Sequence, residues 1–318
     1  MDMSNKKVSV SIASYNNRAI IADCISSVLA QSHPDIEVVL VDNASTDGTA
    51  EFVRENFPAV RVVVNRQNEL FCGAQNKGIR AGTGEYVLVL NSDVVLDARF
   101  VEEALAAMCN DQGIGSVSGR ILRSGGGVID TAGLLLGRDR RPVDRGYGEP
   151  DDGRYMEPGY VFGAGGVAPL YRRAMLDDIA EDGEYFDEAF GAFYEDLDLS
   201  WRAAARGWKA WYAPSAVAYH MRGATARTER PRRRFLMNYG FARLPDGLKS
   251  RLVVNRYLTM VKNDTLAGAA RNLPHILLYD MKIWSYMLFF SPGTIPGVIR
   301  GLGALKTAWR KRGTTHVH

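Results

Sequence analysis

Apolar and polar positions alternate in blocks along the first ninety residues. The run VSVSIASYN (8–16) is β-branched and bounded by polar turn residues, the mark of a buried strand. From Arg18 to Gln31 the residues Ile20, Ile21, Cys24, Ile25, Val28 and Leu29 recur at helical spacing. IEVVLVDN (36–43) predicts a second strand and TAEFVRENF (49–57) a second helix. A strand at VRVVVN (60–65), a glycine-containing helix over 73–81 and a strand at YVLVLN (86–91) follow. Apolar strands separated by amphipathic helices predict an α/β fold, a mostly parallel sheet covered on both faces. Ligands of such sheets sit outside the carboxyl ends of the strands, here just after residues 13, 41, 64 and 90.

Periodicity weakens over 111–160. The stretches SGGG (124–127) and GRDRRPVDRGYGEPDDG (137–153) predict a solvated loop or a mobile flap near a site. Near residue 225 the pattern turns helical and basic, which divides the chain into 1–225 and a helical extension, 226–318. Its most apolar stretch, 276–299, is interrupted by Asp280, Lys282, Pro292, Gly293 and Pro296. The unbroken piece from Ile283 to Phe290 is far short of the roughly 20 residues a spanning helix needs. An interfacial helix fits better, with Trp284, Tyr286, Phe289 and Phe290 as anchors and Arg300, Lys306, Arg310, Lys311 and Arg312 near headgroups. Packing on its own domain or on a partner subunit is the alternative.

The composition, 318 residues with 46% hydrophobic and 24% charged, excludes disordered, collagen-like and coiled-coil chains. The net charge of +3 hides an asymmetry. Residues 1–220 carry 21 Lys and Arg against 32 Asp and Glu, whereas 221–318 carry 18 against 4. The tail therefore faces something anionic, nucleic acid or the inner membrane leaflet. Cys24, Cys72 and Cys109 are odd in number and unpatterned, so they build neither a disulfide framework nor a zinc motif. Together with an opening MDMSNKKVSV that lacks a signal peptide's apolar run, they predict a cytoplasmic protein.

Four places carry candidate chemistry. In VDNASTDGT (41–49), Asp42 closes a strand where a carboxylate can accept hydrogen bonds from a base or ribose, while Ser45 or Asp47 suits a helix cap. LNSDV (90–94) puts Asp93 at the matching point of another strand, where it can hold Mg²⁺ or Mn²⁺. In FDEAFGAFYEDLDLSWRAAARG (186–207), Glu195, Asp196 and Asp198 crowd a helix start beside Phe193 and Tyr194. The helix dipole favours acids there, and such crowding also adjusts a carboxylate for general-base work. His220 ends the strand WYAPSAVAYH (211–220), a position more often structural than ligating.

Taken in order, these segments resemble family 2 glycosyltransferases of the GT-A fold, the large inverting nucleotide-sugar family. The matching stretches are ASYNN, VDNASTDGT, NRQNELFCGAQNKG (65–78), LNSDV, FGAGGVAPLYRRAM (162–175), FDEAFGAFYEDLDLSWR and HMRGAT, spanning about two thirds of the chain. The resemblance implies a Rossmann-like sheet and a donor pocket lined by Ala13, Tyr15, Asn17, Asp42, Asn68, Asn76, Ser92 and Asp93. It implies Asp93 and His220 as ligands of Mg²⁺ or Mn²⁺, Asp196 of the Glu195–Asp196 pair as catalytic base, and Gly165, Trp201 and Arg202 on the acceptor side. The metal-binding motif reads Asn91-Ser92-Asp93, so its usual first acid is missing. A non-catalytic relative therefore stays in view.

Within the family the chain looks most like bacterial rhamnosyltransferases that use dTDP-L-rhamnose, through NSDV and through NRYLTMVKND (255–264). UDP-linked galactose, galactofuranose or N-acetylglucosamine are the alternatives. The implied acceptor is a saccharide, free or on a polyprenyl diphosphate, in cell-envelope polysaccharide such as O-antigen. Arg222, Arg227, Arg230, Arg232, Arg233 and Arg234 would attract anionic lipid or the carrier diphosphate, which implies a peripheral place on the inner face of the cytoplasmic membrane. A dehydrogenase is disfavoured because no GxGxxG follows Ser14. A nucleotidyltransferase would need a glycine-rich, Arg-containing phosphate loop near residue 15, and nucleic-acid binding would need a motif the chain lacks.

Overall fold

Strand β1 (Val8–Ser14) is buried along nearly its whole length and uses its two faces differently. Val8, Val10 and Ile12 enter the main hydrophobic core, while Ser9 and Ser11 point the other way, toward helix α3 (Leu70–Ala81). A Cβ at Gly78 would overlap Ser11 Oγ, so glycine is what lets this helix lie close on the serine face. Ser11 Oγ in turn donates to Gln75 Oε1 (2.6 Å). The other elements of the opening half fall within a few residues of expectation: α1 (Ile21–Leu29), β2 (Ile36–Asp42), α2 (Thr49–Asn56), β3 (Val60–Val64) and β4 (Tyr86–Asn91).

The computed structural model describes residues 5–221 and 239–315. The chain separates into two compact units, 1–135 with 144–223, and 136–143 with 224–318. In the first, β5 (Val94–Leu96), α4 (Phe100–Met108), β6 (Ile114–Arg123) and β7 (Ile129–Thr131) continue the order; β8 (Leu134–Leu136) and β9 (Pro142–Asp144), which pair with each other, flank the 136–143 segment. Then come β10 (Gly159–Val161), β11 (Leu170–Arg172), α5 (Arg173–Ile179), α6 (Glu195–Ala205) and β12 (Lys209–His220). The main sheet has the order β10-β12-β6-β11-β4-β1-β2-β3, with β5 beside β12 and β7 beside β6. β3, β2, β1 and β4 are parallel; β11 runs against both β4 and β6, and β12 is parallel to β6. The expected mostly parallel, two-faced sheet is present. Ile21, Cys24 and Ile25 of α1 and Phe100 and Leu105 of α4 pack on one face, and Ala74 of α3 with Val39 and Val41 on the other. Each such aliphatic or aromatic side chain contributes about 1.5–3 kcal/mol by leaving water.

One expectation fails here. The stretch 111–160 is not a loop or a free flap: its first part is β6, ten residues through the middle of the sheet, and β7 hydrogen-bonds beside it. Gly115 and Gly119 hid the pattern. A Cβ at Gly119 would overlap Ala216 O and crowd Phe100, so close packing, not flexibility, requires that glycine.

The second unit is helical: α7 (Tyr239–Arg243), α8 (Asp246–Asn263), α9 (Leu266–Phe290), α10 (Ile295–Gly301) and α11 (Leu305–Thr315). Thr265 caps α9 by accepting from Gly268 N (2.9 Å). The NRYLTMVKND segment is largely interior. Arg140 meets Asp264 through two hydrogen bonds (2.7 and 3.0 Å), and Arg256 pairs with Asp280 and donates to Asp139 O. Among the described residues no helix is long and apolar enough to cross a membrane. The apolar helix begins at Leu266, ten residues before the expected start, and ends ahead of Pro292. The cluster Arg222, Arg227, Arg230, Arg232, Arg233 and Arg234 lies outside the described residues.

Candidate active site

Strand direction gathers the candidate residues. β1, β2, β4 and β12 point the same way, so Ser14, Asp42, Asn91 and His220 all stand at the carboxyl edge of one sheet. Ala13 is in register with Val41 on one side and Asn91 on the other. The loops leaving β1 and β2 are tied together: Asn16 N donates to Ser45 Oγ (2.9 Å), Thr46 N to Asn16 Oδ1 (2.8 Å), and Arg18 N to Asp47 Oδ2 (3.0 Å). Asp42 is buried. Its Oδ2 accepts from Ser45 N (3.0 Å), and its Oδ1 has no partner among the described residues. A buried carboxylate oxygen without a donor is costly, and a ligand N–H or O–H would relieve it. Tyr15 is half-exposed just beyond β1, Asn17 Nδ2 donates to Ser92 Oγ (2.9 Å), and exposed Asn68 accepts from Leu70 N (2.8 Å).

Asp93 sits in the turn between β4 and β5. β5 pairs with β12, which sets Val94 opposite His220 and brings Asp93 to it. His220 Nε2 is 3.3 Å from Asp93 Oδ1, and its Nδ1 is 2.8 Å from Oδ2 of the fully buried Asp130. Burial works against the charged imidazole, but hydrogen bonds to Asp130 and Asp93 outweigh it and raise its pKa to about 9. These residues fit a divalent cation. A carboxylate oxygen and an imidazole nitrogen lie side by side, and the far nitrogen is held by a carboxylate, as in many metal-bound histidines. Among the described residues no group of three or more His, Cys, Asp or Glu could hold an ion alone, so donor oxygens and water would complete the shell.

Phe193 and Tyr194 hold consecutive left-handed conformations (φ +70° and +71°), turning the chain sharply into α6. For non-glycine residues each costs about 1–3 kcal/mol, a strain typical of functional sites. The turn delivers Asp196, partly exposed, to Gly166: Oδ2 accepts from Gly166 N (3.1 Å) and Oδ1 from Leu197 N (2.7 Å). Glu195 is buried and its Oε2 has no partner among the described residues. A Cβ placed on Gly166 would lie 3.6 Å from both Glu195 Oε1 and Asp196 Oδ2, so the two carboxylates converge on one point. Desolvation and then the charge of Asp196 push Glu195 up to about 8. Desolvation also raises Asp196, opposed by the Gly166 and Leu197 amides. Both carboxyls are thus held above their ordinary range, by burial in each case and, for Glu195, by the neighbouring Asp196 charge as well. Asn91 N donates to Val167 O (3.1 Å), which ties the Gly165–Val167 segment to the mouth of β4.

Two expectations are corrected. Asn76 has no exposed surface; its amide donates to Phe186 O and Glu188 Oε1 and accepts from Tyr185 N and Phe186 N. Arg202 is equally enclosed, paired with Asp198 (2.9 Å) and donating to Ile179 O and Tyr185 O. Both brace the segment before α6: all four hydrogen-bonding positions of Asn76 are filled within the protein, and the enclosed Arg202 guanidinium is turned to Asp198 and two backbone carbonyls. Trp201 is half-buried, edge-on to Phe162, and Gly165 lies against Thr131 and Asp144. Sequence reasoning missed Asp130 and Gly166. The signal for Asp130 was an acid inside the apolar VIDTAG (128–133); Gly166 was the third glycine of FGAGG.

The profile of Glycosyl transferase family 2 matches residues 9–179. A poly-beta-1,6-N-acetyl-D-glucosamine synthase of Staphylococcus epidermidis is 26% identical over 223 residues, 67% of this chain and 49% of its own. The chain thus spans about half the length of the curated relatives it matches. An uncharacterized glycosyltransferase of Nostoc sp. is 40% identical over 92 residues, 28% of this chain and 29% of its own. Among solved structures, S. aureus TarS 1–349 in complex with UDP-GlcNAc aligns at TM-score 0.61 and 19% identity, over 95% of this chain and 81% of that one. The mannosyltransferase PcManGT from Pyrobaculum calidifontis, in complex with GDP-Man and Mn²⁺, aligns at 0.55 and 19%, over 98% and 85%. At these identities the structures establish the GT-A-like fold alone. The profile covers more than half of the chain, and the protein belongs to glycosyl transferase family 2.

Proposed function

We propose that the unit formed mainly by residues 1–225 is an inverting glycosyltransferase that moves a sugar from a nucleoside diphosphate onto a saccharide hydroxyl. The observation that carries this reading is the arrangement of Asp42, Asp93 with His220, and Asp196 around the carboxyl edge of one sheet. Asp42, with a buried Oδ1 in need of a donor, would take an N–H of the base or a hydroxyl of the ribose. Tyr15 and Asn68, both exposed, would flank that pocket. Asp93 and His220 would hold Mg²⁺ or Mn²⁺, which when bound neutralises charge on the departing diphosphate. Asp196 would accept the proton of the acceptor hydroxyl as its oxygen attacks the anomeric carbon. Glu195 would keep its own proton and leave its neighbour as the base. A single base and a single displacement invert the anomeric centre.

Two donors have separate support. The NSDV strand end and the NRYLTMVKND segment favour dTDP-L-rhamnose. The synthase relative and the TarS likeness favour UDP-N-acetylglucosamine. The acceptor class is a cell-envelope saccharide, free or lipid-linked. Thermal shift with dTDP-rhamnose, UDP-GlcNAc and other nucleotide sugars, with and without Mn²⁺, tests the reading, since a ligand of the native state alone raises Tm. A Mn²⁺-dependent shift with one donor selects it. No shift with any nucleotide or sugar nucleotide defeats the reading.

A further inference from the structure

We propose that helix α9 docks the helical unit in the interface of an anionic lipid membrane. Leu266, Leu273, Leu277, Met281 and Leu288 recur at intervals of seven, four, four and seven, which sets them in one stripe along the 25-residue helix. All five are exposed, Leu266 at 81% and Met281 and Leu288 near 60%. The helix turns Ile276, Ile283 and Met287 inward instead, so its buried and exposed sectors are both apolar. A helix that needed only its own core would carry polar residues on the outer side. Phe289 (72%) and Phe290 (70%) extend the exposed patch at its carboxyl end.

Charge selects the occupant. Residues 239–315 carry 12 Lys and Arg but only three carboxylates, Asp246, Asp264 and Asp280. Each of these is engaged inside the unit: Asp264 by Arg140, Asp280 by Arg256, and Asp246 by Lys249 and Ser291. The outer charge left around the stripe is cationic, with Arg271 and Lys282 exposed on α9 and Arg300 exposed on α10. A second copy docked stripe to stripe would bring like charge against like charge, whereas an anionic bilayer offers acyl chains to the stripe and phosphates to its flank. Among the described residues no helix is apolar and long enough to span, so α9 would lie in the plane of the surface.

Flotation of the full chain with vesicles tests this, comparing phosphatidylcholine alone with phosphatidylcholine containing 30% phosphatidylglycerol. The wild type is expected to float with the anionic vesicles at least tenfold more than with the neutral ones, and to be released by high salt. Leu277→Glu with Met281→Glu should abolish flotation with unchanged monomer mass and Tm. Arg271→Glu with Lys282→Glu, on exposed positions where folding is not at risk, should weaken binding to anionic vesicles several-fold. Equal flotation with both vesicle types, or full binding by the arginine and lysine variant, would overturn the proposal. So would a wild-type dimer that the leucine and methionine variant splits while lipid binding is absent. None of these readouts depends on the transferase reaction, so the two proposals fail separately.

Discussion

His220 bridges two carboxylates: Asp130, which has no exposed surface, lies 2.8 Å from its Nδ1, and Asp93 lies 3.3 Å from its Nε2. Asp130 accepting from Nδ1–H fixes the ring orientation and turns Nε2 to the Asp93 side, where a bound cation would displace its proton. Asp130 comes from β7 and His220 from β12, ninety residues apart, each laid against a different edge of β6. Asp130→Asn should keep the fold and weaken Mn²⁺-dependent nucleotide binding about 10–100-fold, the range for partners of metal-bound histidines. Calorimetric titration of Mn²⁺ at fixed nucleotide checks it. Unchanged Mn²⁺ affinity would return His220 to a purely structural role.

Asp196→Asn keeps the size and the acceptor oxygen facing Gly166 N but removes the basic charge. Turnover should fall about 10²–10⁴-fold, the usual contribution of a positioned base. Donor affinity should stay within about threefold, because the proposed role of Asp196 is toward the acceptor hydroxyl alone. A matched loss of donor binding and turnover would show that Asp196 organises the pocket instead.

Asp198 and Arg202, one helical turn apart in α6, form a pair with almost no exposed surface. Asp198→Ala leaves the guanidinium buried beside two backbone carbonyls and no carboxylate partner at 198. Stability should drop by about 3–5 kcal/mol, the range for breaking one side of a buried pair. Urea unfolding gives the number. A change below about 1 kcal/mol would mean that the pair is hydrated in solution, and would return Arg202 to the acceptor side.

The opening strands and helices were legible because their two periods, alternation in β1 and helical spacing in α1, are not interrupted. The rule that ligands meet strand carboxyl ends then located Asp42 and Asp93 without any structure. β6 was not legible because Gly115 and Gly119, needed for close packing against Met175 and Phe100, look like loop residues in a one-dimensional pattern. Losing β6 also lost Asp130, whose meaning comes only from strand pairing. Asn76 and Arg202 show the converse failure. A polar residue inside a site-like segment has the same letter whether it faces a ligand or braces a neighbouring turn, and only its hydrogen bonds decide.

Glu195 gives the molecule a stability that depends on pH with a defined sign. Its carboxyl is raised from the ordinary 4.5 to about 8 by burial first and then by the Asp196 charge. Between those values the folded state holds a proton that the unfolded state has released. The stability it contributes is therefore full below about 4.5, declines as pH rises, and is gone above about 8. Glu195→Gln replaces the protonated acid with a neutral isostere that has no proton to lose. Its Tm should match the wild type near pH 5 and exceed it by several degrees at pH 8.5. Parallel melting curves at the two pH values supply the comparison. Tm differences that are equal at both would mean that Glu195 is ionised throughout, and the proton assignment that leaves Asp196 as the base would have to be reversed.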